Sequence, residues 1–166
     1  EETAKISSDA RIEDVKLVKD VFQIHTKDLY IRRIEAHDKD ITKNLLEEPL
    51  KIGKYKIEIN IVTGKVEVMK TSKNKGISGV HPHVGSSGTP CWGNMGTPCL
   101  SAIKNLDIDQ VIQILLEILE TIRVHDTYGR IENFWTSCPK KIEQYCPCGS
   151  LYTASTTPEL VSISVS

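Results

Sequence analysis

Two histidines and a thiol stand within one run of thirteen residues, His81-Pro82-His83-Val84-Gly85-Ser86-Ser87-Gly88-Thr89-Pro90-Cys91-Trp92-Gly93, and Cys91 follows His81 by ten positions. A thiolate can be a nucleophile or a metal ligand, and an imidazole can assist either chemistry. Glycine permits positive φ and proline locks φ, so the run describes a tight loop that would hold the thiol and the imidazoles together. Three roles are open to Cys91 on such a loop. It could be a covalent carrier, a metal ligand, or an ordinary buried cysteine packed with Trp92 against the core.

The metal role has two sets of candidate residues. His81, His83, Cys91 and Cys99 are close in sequence, but their spacing matches no zinc signature. Further on, Cys138, Cys146 and Cys148 fall within eleven residues, and two of them are followed by proline. They resemble a zinc knuckle whose fourth ligand, His125 or Cys99, would come from elsewhere. No cofactor is expected otherwise, and structural zinc on these three cysteines stands as the alternative. The chain carries no phosphate-binding glycine loop, no paired-carboxylate motif and no serine nucleophile motif.

The elements that must position the loop read as follows. Residues 9–22 place Ile12, Val15, Leu17, Val18, Val21 and Phe22 at intervals of three and four, which predicts an N-terminal helix capped by Ser7, Ser8 or Asp9. Leu29 to Ala36 alternates as a first strand. Tyr55, Ile57, Ile59 and Ile61 alternate with Lys56, Glu58 and Asn60, and Val66 and Val68 continue the pattern after a Val62-Thr63-Gly64-Lys65 turn, which predicts an antiparallel hairpin. Glu47-Glu48-Pro49 reads as a loop before it. Residues 71–100 have no periodicity and read as one long loop, in which Asn94 and Gly96 would shape the cysteine's pocket or serve only as turn residues. Asp107 to Arg123 carries a wide apolar stripe of Ile108, Val111, Ile112, Leu115, Ile118, Leu119 and Ile122, with Asp107 or Asn105 as cap. Phe134 and Trp135 are expected to close over the core, and His25 and His37 to face solvent.

Helix, strands, loop, helix is the order of an α+β domain with its helices on one sheet face. The expected organisation is one domain over residues 1–135 and a cysteine-containing extension or tail over 136–166. Charge is balanced, with 21 basic against 22 acidic residues, which argues against nucleic acid as a partner. The basic stretch Lys70 to Lys75 reads as a solvated turn. No run reaches the roughly 20 apolar residues that span a bilayer, so no membrane partner is expected. Five cysteines would leave one unpaired in any full disulfide scheme, which points to a reducing, cytoplasmic setting.

The loop and its context resemble the ubiquitin-conjugating enzyme family. His81-Pro82 stands where that family has His-Pro, Cys91 stands at the spacing of its active cysteine, and Gly88 matches the glycine three residues before it. The Asp107–Arg123 helix falls where the family places the helix after the catalytic loop. The resemblance covers residues 9–135 and implies an N-terminal helix, an antiparallel β-meander, a catalytic-type loop and a core helix. It implies that Cys91 accepts the C-terminal acyl group of a ubiquitin-like protein from an activating enzyme, holds it as a thioester and passes it to an amine. His81 would brace the loop, with Pro82 and Gly88 shaping it. The chain departs from the pattern at three points: His83 replaces the family's asparagine, Trp92-Gly93 replaces a leucine and an acidic residue, and the two C-terminal helices have no counterpart. These mark a divergent member of prokaryotic or viral type. In it His83, or His125, would donate to the oxyanion in place of the asparagine amide, and Asp126 would orient or deprotonate the attacking amine. The alternative is a catalytically inactive scaffold or interaction module that keeps the fold within a larger assembly.

Overall fold

The computed structural model describes residues 6, 8–35, 45–73, 79–123, 127–128 and 134. Alternation dictates most of the strands. β1 (Ile12–Val18) and β2 (Val21–Thr26) form a hairpin, β3 (Leu29–Glu35) pairs antiparallel with β4 (Leu45–Gly53), and β5 (Tyr55–Asn60) pairs antiparallel with β6 (Val66–Lys70). Two helices follow, α1 (Gly96–Lys104) and α2 (Ile108–Leu119), and then the short strand β7 (Thr121–Arg123). The strands make two sheets, one in the order β1-β2-β5-β6 and one in the order β4-β3-β7, where β7 runs parallel to β3. This is an α+β fold with antiparallel sheets and two helices among the described residues.

Four features differ from expectation. Residues 9–22 are not a helix but β1, a tight turn and the start of β2. Their apolar spacing of three and four is overridden by the alternation that Phe22, Ile24 and Thr26 begin, and those three side chains are buried while Val21, Gln23 and His25 between them are only half-buried. Leu17 and Val18, counted toward a buried helical stripe, lie about half exposed on the outer strand (51% and 48%). The strands do not run as a single meander either: the β3–β4 hairpin leaves for the second sheet between β2 and β5. Glu47-Glu48-Pro49 lies within β4, at a sheet edge where a proline's missing N–H breaks no ladder. The long loop ends sooner than expected, because residues 93–95 form a 3-10 turn and Gly96 opens α1. Pro98 sits in the first turn of α1, where a helix has no intrahelical partner for its N–H.

The α2 helix follows its sequence signal at the start and stops early at the end. The Asp107 side chain caps it by accepting from the Gln110 N–H at 3.3 Å. Eight of its residues are buried, Ile114 and Leu116 in addition to the expected stripe, so the helix threads the core rather than resting on it. Ile122, read as its last apolar position, instead belongs to β7 and pairs with Ile34. One hydrophobic cluster joins both sheets and both helices, with Ile24, Ile31, Ile57, Ile112 and Leu115 wholly excluded from solvent. Phe134 packs against it as expected. Trp135, His37 and the extension 136–166 lie outside the described residues.

An ionic network ties the chain's beginning to the end of α2. The Arg11 guanidinium grips both carboxylate oxygens of Asp9 (3.1 and 2.9 Å) and donates to Glu120 Oε1 at 2.7 Å. Arg32 Nε donates to the other Glu120 oxygen at 3.1 Å, and Gln113 bridges Asp9 and Arg11. Glu120 is 7% exposed, a buried carboxylate whose two oxygens are both paired. The bonds from Arg11 outweigh burial and hold the Asp9 carboxyl well below the ordinary carboxylate range. Its folded pKa is therefore below its unfolded value of about 3.9, so its contribution is complete above that pH and is lost as pH falls below it. Asp9→Asn should lower stability at pH 7 by on the order of 1 kcal/mol and flatten the loss of stability between pH 5 and pH 2, as read by urea denaturation across that range. An acid limb as steep as that of the wild type would mean that the network contributes nothing.

Candidate functional site

The glycines and prolines of the 81–93 run fold it into a narrow, internally bonded loop. Val84 N–H donates to His81 C=O at 3.0 Å, Gly85 N–H to Thr89 C=O at 2.9 Å, Gly88 N–H to Gly85 C=O at 2.9 Å, and Cys91 N–H to His83 C=O at 2.7 Å. The last bond closes the base of the loop and sets Cys91 directly across from His83. Gly88 has φ +88°, and its carbonyl accepts from Val68 N–H at 2.8 Å, so the tip is stitched to the outer strand β6. A Cβ at Gly88 would stand 3.1 Å from the Val68 carbonyl oxygen. Both the backbone angle and the close approach require glycine here.

The two histidines pin the loop to the junction between α2 and β7. His81 Nε2 lies 2.7 Å from the Leu119 carbonyl at the end of α2, and its Nδ1 accepts from His83 N–H at 3.0 Å. A carbonyl only accepts, so the His81 proton resides on Nε2. The ring is 1% exposed, and burial, reinforced by the neighbouring His83 and Lys70, pushes its pKa down to about 3. His81 is therefore a neutral brace between the loop and the end of α2. His83 Nε2 accepts from the Arg123 N–H of β7 at 2.8 Å, which places the neutral ring's proton on Nδ1. This ring too is buried, 3% exposed. Sequence reasoning expected His83 as an oxyanion donor or, in the metal reading, as a ligand. Its tie to β7 was invisible there, because the partner is a backbone amide forty residues away.

Cys91 is half-buried and Cys99, on α1, is buried, and neither is in a disulfide. Burial pushes the Cys99 thiol up to about 11, which makes it an inert core cysteine, the plainer of its two readings. His83, Cys91, Ile118, Thr121 and Arg123 line a partly open cavity of about 10 Å³, room for about one water. The cavity brings together the predicted pair, Cys91 and His83, with three residues the sequence did not single out. They come from the end of α2 and from β7, which the apolar stripe had merged into one helix. Asn94 and Gly96 do not border the cavity; they belong to the turn and to the start of α1. Thr121 Oγ1 donates to Glu117 at 3.2 Å, Glu117 pairs with Arg33, and Arg123 pairs with Glu35 at 3.2 Å, so every element around the cavity is tied to its neighbour.

Two further groups lie near the brace. Tyr55, 1% exposed, donates its hydroxyl proton to the Val80 carbonyl at 2.7 Å and stands edge-on to His81. Lys70, opposite Tyr55 in the sheet, has its ammonium shielded from solvent with no hydrogen-bond partner among the described residues, and burial lowers its pKa. Tyr128, unmarked in the sequence because its segment has no periodicity, lies over the loop from outside: its N–H donates to Pro82 C=O at 2.9 Å.

The metal readings fare differently. Both His81 nitrogens and His83 Nε2 are engaged by backbone, and no group of three or more His, Cys, Asp or Glu side chains converges among the described residues. The set His81, His83, Cys91 and Cys99 therefore does not form a ligand cluster. His125, Asp126, Cys138, Cys146 and Cys148 lie outside the described residues. His25 is half-buried on β2 rather than solvent-facing. No helix of the described residues is long and apolar enough to cross a membrane. Comparison with known protein families, with curated proteins and with solved structures finds no match.

His81 titrates far below its unfolded value of about 6.5, so the unfolded chain takes up its proton first. Its contribution to stability is complete above about pH 6.5 and is lost as pH falls from there toward 3. His81→Gln, which keeps one donor and one acceptor, should flatten the pH dependence of stability between 6.5 and 4, and long-range ¹H–¹⁵N spectra of the wild type should report the Nε2–H form throughout. A His81 that titrates near 6.5 in the folded protein contradicts the brace. Gly88→Ala should cost about 1–3 kcal/mol by strain at positive φ, measured as a shift in the urea midpoint.

Proposed function

We propose that the chain is an acyl carrier of the ubiquitin-conjugating type, built on a rearranged α+β frame with an N-terminal hairpin in place of the family's helix. The observation that carries this reading is the setting of Cys91. It is a half-buried thiol at the base of a loop fixed to three separate elements, facing His83 beside a cavity. Rigid placement of a nucleophile is what thioester exchange needs, since orientation supplies much of the rate. In the proposed reaction the Cys91 thiolate attacks the carbonyl of an activated C-terminal thioester on a ubiquitin-like protein. A new C–S bond forms, and the donor enzyme's thiol departs. An amine then attacks, the C–N bond forms, Cys91 leaves as thiolate, and the amine's proton passes to a base, the role we assign to Asp126 from its place after β7.

His83 fits the donor role in one protonation state. With Nε2 accepting from Arg123, its only N–H is on Nδ1, and the ring borders the cavity that Cys91 shares. A neutral imidazole N–H can stabilise an oxyanion as an amide does. The same observation also supports the second reading, a scaffold in which His83 is purely a strut between loop and β7.

Incubation of the full chain with a ubiquitin-like protein and its activating enzyme should yield an adduct that is cleaved by thiols. Cys91→Ser should convert it into a thiol-resistant oxyester or abolish it, and Cys99→Ser should leave it unchanged. Should every cognate pair give no adduct while Cys91 alkylates readily in the folded protein, the scaffold reading takes its place.

A further inference from the structure

Tyr128 makes contacts at both ends of the loop that the proposed reaction does not use. Its N–H holds the Pro82 carbonyl at 2.9 Å, and its phenol O–H points to the Pro90 carbonyl at 3.4 Å. Its ring passes 3.5 Å from where a Cβ on Gly85 would stand, so the ring lies flat against the loop's glycine. The side chain is 53% exposed, so burial alone does not hold it there.

The Pro90 carbonyl belongs to the peptide unit whose N–H is that of Cys91. That N–H donates to His83 C=O at 2.7 Å. Both polar atoms of the peptide are therefore held, the oxygen by Tyr128 from outside and the N–H by His83 from within the loop. A peptide unit is planar, and its only soft torsions lie on either side of it. They are ψ of Pro90 and φ of Cys91, because the proline ring locks only its own φ, one bond further back. With the plane held at both atoms, the Cys91 Cα is fixed in place, and only φ of Cys91 remains to turn its Cα–Cβ bond.

We infer that Tyr128 is a positioning residue for Cys91, acting through the Pro90–Cys91 peptide: its hydroxyl orients the peptide, and its ring covers Gly85 to keep that hydroxyl in place. The inference rests on the reading of Cys91 as the acyl-accepting thiol. At 3.4 Å the hydroxyl bond is long, and the ring against Gly85 is what keeps the hydroxyl within reach. Acylation of Cys91 pulls on this peptide, and Tyr128 resists its rotation.

The test uses a chemical acyl donor, the benzyl thioester of a short peptide ending in glycine. The Cys91 thiolate forms a C–S bond to the peptide carbonyl, and benzyl mercaptan leaves, taking a proton from water. Tyr128→Phe keeps the ring and loses the hydroxyl. It should melt with the wild type yet take the acyl group about fivefold more slowly, the weight of one neutral hydrogen bond, with the rate falling at saturating donor rather than through weaker donor binding. Its Cys91 amide should also exchange with deuterium faster than in the wild type. Tyr128→Ala, which loses the ring as well, should be at least as slow and melt lower. A Tyr128→Phe protein with wild-type transfer rate and wild-type Cys91 amide exchange overturns the inference, leaving the ring as packing alone. Failure of the wild type to accept any acyl group counts against the carrier reading instead. The Cys91 amide exchange and the rate of iodoacetamide alkylation then decide the positioning role, and identical values in wild type and Tyr128→Phe overturn it.

Discussion

Everything near Cys91 depends on how backbone polar groups are satisfied where α2 gives way to β7. A helix ends with carbonyls that have no partner within it, and an edge strand presents amides with none across it. Here the Leu119 carbonyl lies buried and the Arg123 amide partly so. The Pro-flanked histidines of the loop answer them, His81 by donating and His83 by accepting. Each imidazole must be neutral and of one tautomer to do so, and burial keeps His81 that way. The loop's position thus follows from an accounting of two backbone atoms that belong to another part of the chain.

The junction is also clamped from its other side. Glu120 immediately follows α2, at the helix end where a negative charge is unfavourable and where burial adds a further penalty. Arg11 and Arg32 each take one of its oxygens, and these bonds bring the first hairpin and β3 to the same point. Glu117 with Arg33 and Glu35 with Arg123 repeat the arrangement along β3 and β7. Paired charges outside and neutral imidazoles inside hold one short stretch of backbone, and the apolar body of α2 beneath it is fully packed. The cavity beside Cys91, with room for about one water, is lined from the loop, the end of α2 and β7.

Much of this frame was legible in the residues. The alternation of Tyr55 through Val68 and the apolar stripe from Ile108 to Leu119 each have a single period, and each folds as that period requires. Residues 9–22 failed because Ile12, Val15, Val18 and Val21 satisfy the helical period while being β-branched residues that suit a strand. Pairing with β5, a tertiary fact, decides between the two. Helix α1 hid behind Gly96, Thr97 and Pro98, which read as loop but occupy a first turn where proline is tolerated. At the site, sequence brought out Cys91, the brace His81 and the special glycine Gly88. It missed Thr121, Arg123 and Tyr128, because these act through a cavity wall, a backbone amide and a loop carbonyl, contacts that leave no trace in residue type or spacing.

For the proposed carrier, histidine rather than asparagine at position 83 has a specific meaning in this geometry. An asparagine amide carries two N–H donors and a carbonyl, so it can tie down backbone and still offer a donor. Neutral histidine has one donor and one acceptor, and at His83 the acceptor is committed to Arg123. The ring is then confined to a single duty, donation from Nδ1. It cannot serve as a general base at Nε2 without giving up the bond that holds β7 to the loop. In the proposed carrier the proton acceptor would therefore come from elsewhere, with His83 holding position. The bond to β7 thus occupies one nitrogen of the ring and leaves its proton on the other, so in the proposed carrier bracing and oxyanion donation would fall to the two nitrogens of one ring.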